Sequence, residues 1–546
     1  MSGSKFLKGT LMLTGATFLS KFLGMIYVFP FQSIVGLKGG TLYAYAYIPY
    51  TILLSMATMG VPLAVSKFVS KYNALGDYHT GRKLFKTGLL LMFLSGLVTF
   101  FIFYSISPWL APKIVGQNEY GIKHEEVVYV LRMVSTALII VPMMSIIRGF
   151  FQGYQSMGPT AISQVIEQIA RIIFLLTGSY IVMKVLNGDL HTAVGLSVFA
   201  ATVGAIAGMG VLIWYWVKRK RNLDEFLETS TTQSNLTTKE MLLELLSYAG
   251  PFVFVSLAIP LYQLVDEFTF SRAMESINKG GAYAEDLFSI FNMYGHKLIM
   301  IPVSLATAFG LTLVPTITES FTARNTPRVN QQVSQALQIV MFLTLPAVFG
   351  MTMVAGPAIG ALFNVEFINI GEGIMFYYSP VALLFALFTV TAAILQGINQ
   401  QRFAVYSMFG GFFLKLILNI PLIKGFEIYG AISATAIGFL FSILFNFWVI
   451  KKYANVRFNY TIRRSFLITI YVGLMVAVVQ LVKWLLSFVV SYEDGRGQSI
   501  IVLVVSITAG AGVYLALSIK SNLAGRILGY RFKFLQKQNQ GEKANG

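Results

Sequence analysis

Six cations stand inside or beside long apolar stretches of the chain: Lys21, Arg132, Arg148, Arg171, Lys297 and Lys415. A cation at mid-bilayer depth costs at least about 2.5–3.5 kcal/mol, so it persists where it faces an aqueous cavity, pairs with an acid or reaches the interface. Lys21 lies near the middle of its apolar run with no acid within a turn, which points to a cavity. Lys297 follows His296 and precedes Pro302 by about one turn, where a cavity role and an interfacial anchor are both compatible. Glu167 stands four residues before Arg171, so the two share a helix face and are expected to form a structural ion pair. Arg148 is near the end of its run, within reach of the interface or of phosphate headgroups. Lys415 has no acid four residues before it and is the more available for a ligand. The adjacent acids Asp266 and Glu267 point about 100° apart on a helix, so at most one need face a cavity. Pairing with a cavity lysine, holding a coupling cation and an interfacial position are all open to them. The interior implied is cation-rich and suits a substrate carrying phosphate.

Other chemistry is thinly represented. There are no cysteines, and the four histidines (His79, His124, His191, His296) include no H-x-x-x-H pair, so no metal site or cofactor is expected. G-x-S-x-G, Walker A and H-E-x-x-H motifs are missing from the sequence, which argues against an enzyme and against direct use of ATP. Energy must then come from a gradient, the membrane potential or substrate supply. The net charge of +18 does not call for a nucleic-acid partner, because its cations gather in particular loops.

The elements that must position these residues are membrane spans. The chain of 546 residues is 56% hydrophobic and 12% charged, and its apolar residues come in runs long enough to cross a bilayer. Fourteen spans are predicted, giving an all-α polytopic membrane protein. Lys and Arg concentrate in alternate connections and in both tails, as in Lys218–Arg221 and Lys451–Lys452, which places both termini in the cytoplasm. Lys5, Lys8 and the following apolar stretch imitate a signal peptide, but Lys21 interrupts the run, so it is read as a retained first span. The predicted organisation is an N-lobe of six spans (1–217), a Ser/Thr-rich cytoplasmic linker (218–241) and a C-lobe of six spans (242–452). Two further spans (453–525) form a greasy groove for a lipid tail or pack peripherally, and a basic tail (526–546) follows.

The two six-span halves are related. Ile48-Pro49 and Val61-Pro62 reappear as Ile301-Pro302 and Val314-Pro315, with each proline pair thirteen residues apart. Gln152-Gly153 likewise matches Gln396-Gly397, and Arg171 matches Lys415, at one common offset. Ordered matches of this kind indicate duplication. Pro49, Pro62, Pro302 and Pro315 each remove a helix hydrogen bond and can bend a span, and bent spans at equivalent positions point to the central cavity of a transporter.

The string from Arg148 to Arg171 (RGFFQGYQSMGPTAISQVIEQIAR), with Ile301–Gly310 and Ala393–Asn399, resembles the SpoVB/YtgP branch of polysaccharide flippases, the MurJ-type lipid II flippases. The resemblance covers essentially the whole chain. It implies the MOP exporter fold, with two pseudo-symmetric six-helix lobes and two C-terminal helices forming a lipid-tail groove. It also implies a bacterial cytoplasmic-membrane protein that moves lipid II, an undecaprenyl-diphosphate-linked glycan, from the cytoplasmic to the outer leaflet by alternating access. Membrane lipids and the cell-wall or division machinery are the further partners expected. In the family's first span a S-R-x-x-G-x-x-R-D pattern supplies cavity arginines. Ser20, Lys21 and Gly24 match it here, while Tyr27 and Val28 replace the second Arg and the Asp. The family's D-R-L-x-x-x-P pattern appears as His296-Lys297-Leu298 ahead of Pro302, keeping the cation but not the acid. Lys21 and Lys297 are thus the expected diphosphate ligands, with His296, Lys415 and Arg148 as further candidates. Export of another polyprenyl-linked glycan and a non-transporting division scaffold stay open as alternatives.

Overall fold

The computed structural model describes residues 3–58, 61–115, 121–230, 238–456 and 458–528. The side chains of Pro62 and Pro315, residues 231–237 of the predicted linker and the tail beyond Leu528 lie outside the described residues.

The chain divides into two compact units, Met1–Met293 and Tyr294–Gly546. The first contains α1 (Gly3–Ile26), α2 (Val28–Thr58), α3 (Val61–Ala74), α4 (Tyr78–Ile114), α5 (His124–Ser135), α6 (Ala137–Gly153), α7 (Met157–Tyr180), α8 (Leu190–Glu228), α9 (Thr238–Glu275) and α10 (Ala282–Phe288). The second contains α11 (His296–Thr322), α12 (Thr326–Met353), α13 (Ala355–Leu362), α14 (Ile368–Tyr378), α15 (Val381–Gly397), α16 (Gln401–Ala454), α17 (Asn459–Ser487), α18 (Arg496–Lys520) and α19 (Leu523–Leu528). Repeat counting groups α9 and α10 with the second half of the chain, whereas packing groups them with the first, because α9 lies against α2, α3 and α4.

Ten helical stretches among the described residues are long and apolar enough to cross a membrane. Two of them double back. Gly36, at φ 68°, interrupts α2 in a conformation that only glycine adopts without strain. Tyr27 beyond it returns to Tyr43, hydroxyl to hydroxyl at 3.1 Å. Glu427 breaks α16, and its two arms pair antiparallel through Ser442 to the Ser407 carbonyl and Lys415 to Thr435. Gly430 makes that reversal possible, since a Cβ there would strike the Leu422 carbonyl. Helix ends elsewhere follow local chemistry: Asp77 and Asn325 cap α4 and α12 by accepting from the backbone N–H of Thr80 and Arg328. Asn187, Asn278, Asn399, Asn455 and Asn522 take the left-handed turns. Large apolar side chains such as Phe101, Ile173, Ile417 and Phe466 face outward, as lipid requires and water would not.

The repeated Gln-Gly pairs perform the same packing task. Gly153 ends α6 against Val69 and the Ser66 carbonyl of α3, where a Cβ would sit 2.7 Å from the Val69 Cβ. Gly397 ends α15 against Ile317 and the Val314 carbonyl of α11, with a Cβ 2.9 Å from the Ile317 Cβ. Gln155 and Asn399, at equivalent positions beyond, both have positive φ. Gly397→Val is therefore expected to cost about 1–3 kcal/mol through overpacking against α11. A lowered thermal unfolding midpoint of the purified protein would register it; an unchanged midpoint would mean the helices part freely there.

Candidate functional site

Within the first unit, α1 is held on α7 by a stripe of small and polar residues. Thr17 donates to Gln164 at 3.1 Å, and a Cβ on Gly24 would lie 3.1 Å from the Gln168 amide nitrogen. Lys21 falls between them at helical spacing, on the same side of α1. Its side chain is exposed in the absence of a bilayer and has no hydrogen-bond or ion-pair partner among the described residues. It is thus presented rather than consumed by the fold.

Arg171 stands half-buried on α7 beside Tyr43, Tyr47 and Tyr50 of α2 and Glu167. The ion pair expected between Glu167 and Arg171 is replaced by another. Glu167 accepts from Arg148 at 2.8 Å, and Arg148 also donates to Ser163 at 2.8 Å. Helix packing overrides the i,i+4 spacing here. Gly204 and Gly208 on α8 leave room for α7 to approach closely at Glu167 and Ser163, which fixes the carboxylate toward α6. Arg148, read as an interfacial cation, is instead tied into the bundle.

Asp266 and Glu267 are both buried on α9, at 1% and 0% exposure. Both carboxylate oxygens of Glu267 lack a hydrogen-bond partner among the described residues. Tyr45 is within electrostatic range and its hydroxyl lies 3.4 Å from Ser271 on α9.

A π-helical turn, Ser289–Gly295, leads along the chain into His296 at the start of α11. His296 turns inward, with Nδ1 2.9 Å from the Tyr378 hydroxyl and its ring beside Phe385. Lys297, next along α11, is partly exposed, and Pro302 is buried. Pro49 is likewise buried in α2, where the non-helical backbone occurs at Gly36 instead. Lys415 is fully buried and donates to Thr435. Further along the same helix, buried Asn446 donates to Thr391 at 3.0 Å. The carbonyl oxygen of Asn446 has no partner among the described residues.

The last two spans enclose a groove. A cavity of about 580 Å³ runs between α11, α12, α13, α17 and α18, lined by Leu298, Phe342, Met351, Met475, Ile507 and their neighbours. Its polar lining is confined to Ser506 and Tyr514, and the Tyr514 hydroxyl is spent on the Phe342 carbonyl at 2.8 Å. Near the outer end predicted for these spans, Tyr492 donates to Glu372 at 3.2 Å. Burial and the adjacent carboxylate push the Tyr492 phenol up to about 12. Among the described residues no three His, Asp or Glu side chains gather as a metal site.

A family model described as polysaccharide biosynthesis protein matches residues 6–321. The chain belongs to this family. It is 49% identical over 538 residues, 98% of its length, to the lipid II flippase MurJ of Bacillus subtilis, of which 96% is covered. It is 22% identical to the stage V sporulation protein B of the same organism, over 83% of this chain and 85% of that one. Among solved structures, a lipid II flippase MurJ in an inward closed conformation matches with TM-score 0.65 at 15% identity, covering 95% of this chain and 99% of that one. An inward-facing multidrug resistance MATE transporter of the MOP superfamily matches with TM-score 0.61 at 14% identity, over 79% and 95%. The fold is that of the MOP transporters.

In this member of the polysaccharide biosynthesis family, the residues that sequence reasoning passed over are the tyrosines. Tyr43 stacks on Tyr47 at 5.3 Å, and Tyr47 lies 5.6 Å from Tyr50. Tyr27, standing where the first-span pattern of the family resemblance has its second arginine, closes the row against Tyr43. The i, i+4, i+7 spacing of Tyr43, Tyr47 and Tyr50 was the available signal for one polar aromatic helix face.

Proposed function

We propose that this protein moves lipid II from the cytoplasmic to the outer leaflet of a bacterial cytoplasmic membrane by alternating access. The observation that carries the reading is 49% identity to a lipid II flippase along 98% of the chain. It is a transporter and not an enzyme. Fourteen spans fit the described helices: the ten long apolar stretches hold two doubled hairpins, and α9 and α11 add two more. An even number, with cations on alternate connections, puts both termini in the cytoplasm.

Lys21 and Lys297 attract the diphosphate. The unengaged ammonium of Lys21 is the stronger support, because a cation held in an apolar span without a partner is stable only toward water or an anion. The apolar groove under the last two spans takes part of the polyprenyl tail, for which its nearly unbroken hydrocarbon lining is suited. Arg148 and Glu167 hold α6 to α7, His296 supports α11, and Lys415 holds the two arms of α16 together. Asp266 and Glu267 are the groups through which a cation or proton gradient would couple to transport, and their burial supports that role.

Reconstitution tests the reading: with lipid II confined to one leaflet of a vesicle, the purified protein is expected to expose it on the other. A protein that instead moves a different polyprenyl-linked glycan would leave lipid II in place, and a scaffold would move neither.

A further inference from the structure

The second unit carries a polar pocket lined by none of the residues assigned above to the substrate. It has a volume of about 640 Å³, within the range of small-molecule sites, and opens where α12 begins and α16 ends. Arg464 of α17 and Arg526 of α19 line it, with Asn330, Gln331, Gln335 and Asn455 supplying amides. No carboxylate is among the described residues lining it. A second pocket of about 550 Å³ shares Thr326 and Asn455 with it and adds Arg324, again without a lining carboxylate.

The arginines are positioned by the fold. Arg464 donates to the Gln338 carbonyl oxygen at 2.8 Å, Gln338 donates to Ser334 at 2.8 Å, and Ser334 shares a 2.7 Å hydrogen bond with Thr461. That chain orients the guanidinium. Arg526 is brought in by α19, whose Leu523, Ala524 and Ile527 are buried against Phe342, Leu345 and Ile468. Gln335 also reaches the Ile527 carbonyl at 3.4 Å. The first turn of α12 enters the pocket at Thr326 and Pro327, adding the positive end of a long helix dipole. Two guanidinium groups, a ring of amides and a helix start, with no acid among the described lining residues, form a receptor for a doubly charged or bidentate anion.

We propose that the Arg464–Arg526 pocket binds a phosphate-bearing anion at the end of the second unit where α12 begins. With the orientation proposed above, that end is cytoplasmic. Two sources share this chemistry: the headgroup of an anionic phospholipid and a soluble phosphate. The pocket contains none of the residues assigned to lipid II or its tail, so it stands or falls separately from the transport reading.

The test uses purified, delipidated full-length protein in neutral detergent. Native mass spectrometry measures binding of phosphatidylglycerol and of phosphatidylcholine, whose phosphate is neutralised by its own ammonium, with inorganic phosphate as competitor. The wild type is expected to prefer phosphatidylglycerol. Arg464→Gln with Arg526→Gln is expected to weaken that binding about tenfold or more, as loss of charge-assisted hydrogen bonds implies. Lys86→Gln, an exposed change on α4, is expected to leave it unaltered. Arg526→Gln alone changes an exposed residue and is expected to give part of the loss, which covers the case of a misfolded double variant. Competition by millimolar phosphate assigns the site to a soluble anion, and its absence assigns it to the lipid headgroup. Equal binding of the two lipids by the wild type with no phosphate effect would overturn the proposal. Undiminished binding by both the single and the double variant would do so too.

Discussion

Alanine at both Lys21 and Lys297 is expected to reduce outward movement of lipid II by about a hundredfold while leaving the folded protein in the membrane. On the proposed assignment each ammonium would contribute charge-assisted hydrogen bonds to a diphosphate, on the order of 1.5–3 kcal/mol, or about tenfold or more apiece. The fold should tolerate the loss, at Lys21 above all, because that side chain has no hydrogen-bond or ion-pair partner among the described residues. Removing an unpaired cation from an apolar span even favours insertion. Lys→Arg at the same positions is expected to keep much of the activity, since charge is retained and only geometry changes. The measurement is the rate of lipid II exposure at matched protein levels. Normal exposure with both lysines gone would remove the cavity assignment. The absence of cysteine lets single cysteines placed at positions 21 and 297 report access directly. Protection from aqueous reagents in every transport state would count equally against it.

The second large effect concerns stability. Arg148→Ala leaves Glu167 without its ion-pair partner between α6, α7 and α8, where its side chain is 17% exposed and Arg171 of the same helix remains within electrostatic range. The pair is only part-buried and Arg171 still acts on the carboxylate, so the loss of a charge-assisted hydrogen bond, about 1.5–3 kcal/mol, is the expected cost. Replacing both partners with methionine should cost much less, as apolar pairs of similar volume often match a buried ion pair. Thermal unfolding of the two variants beside the wild type separates these cases. A double variant as damaged as Arg148→Ala would show that the damage comes from packing around Gly204 and Gly208, not from the lost charge.

The membrane class and the repeated Gln-Gly packing were legible in the sequence because they rest on runs and repeats. Apolar run length marks spans directly, and the Gln-Gly pair is repeated because both copies end a helix in close contact with a neighbour. Pairing was less legible. Glu167 and Arg171 share a helix face, yet the partner was decided by which helix the glycines of α8 admit, a tertiary fact that i,i+4 spacing does not contain. Lys415 looked available because no acid precedes it. The hairpin at Glu427 instead brings Thr435 to it from twenty residues along the chain. Cavity pairing, a coupling cation and an interfacial position were all open to Asp266 and Glu267, because sequence spacing does not contain the packing of α9 that buries both side chains.

The most direct test of lipid II translocation is complementation. A bacterium depleted of its own lipid II flippase and expressing this chain is assayed for lipid II accessible at the outer face of the cytoplasmic membrane. Restored exposure together with growth is the predicted result. Growth without exposure, or full-length protein in the membrane with lipid II still confined to the inner leaflet, would contradict it.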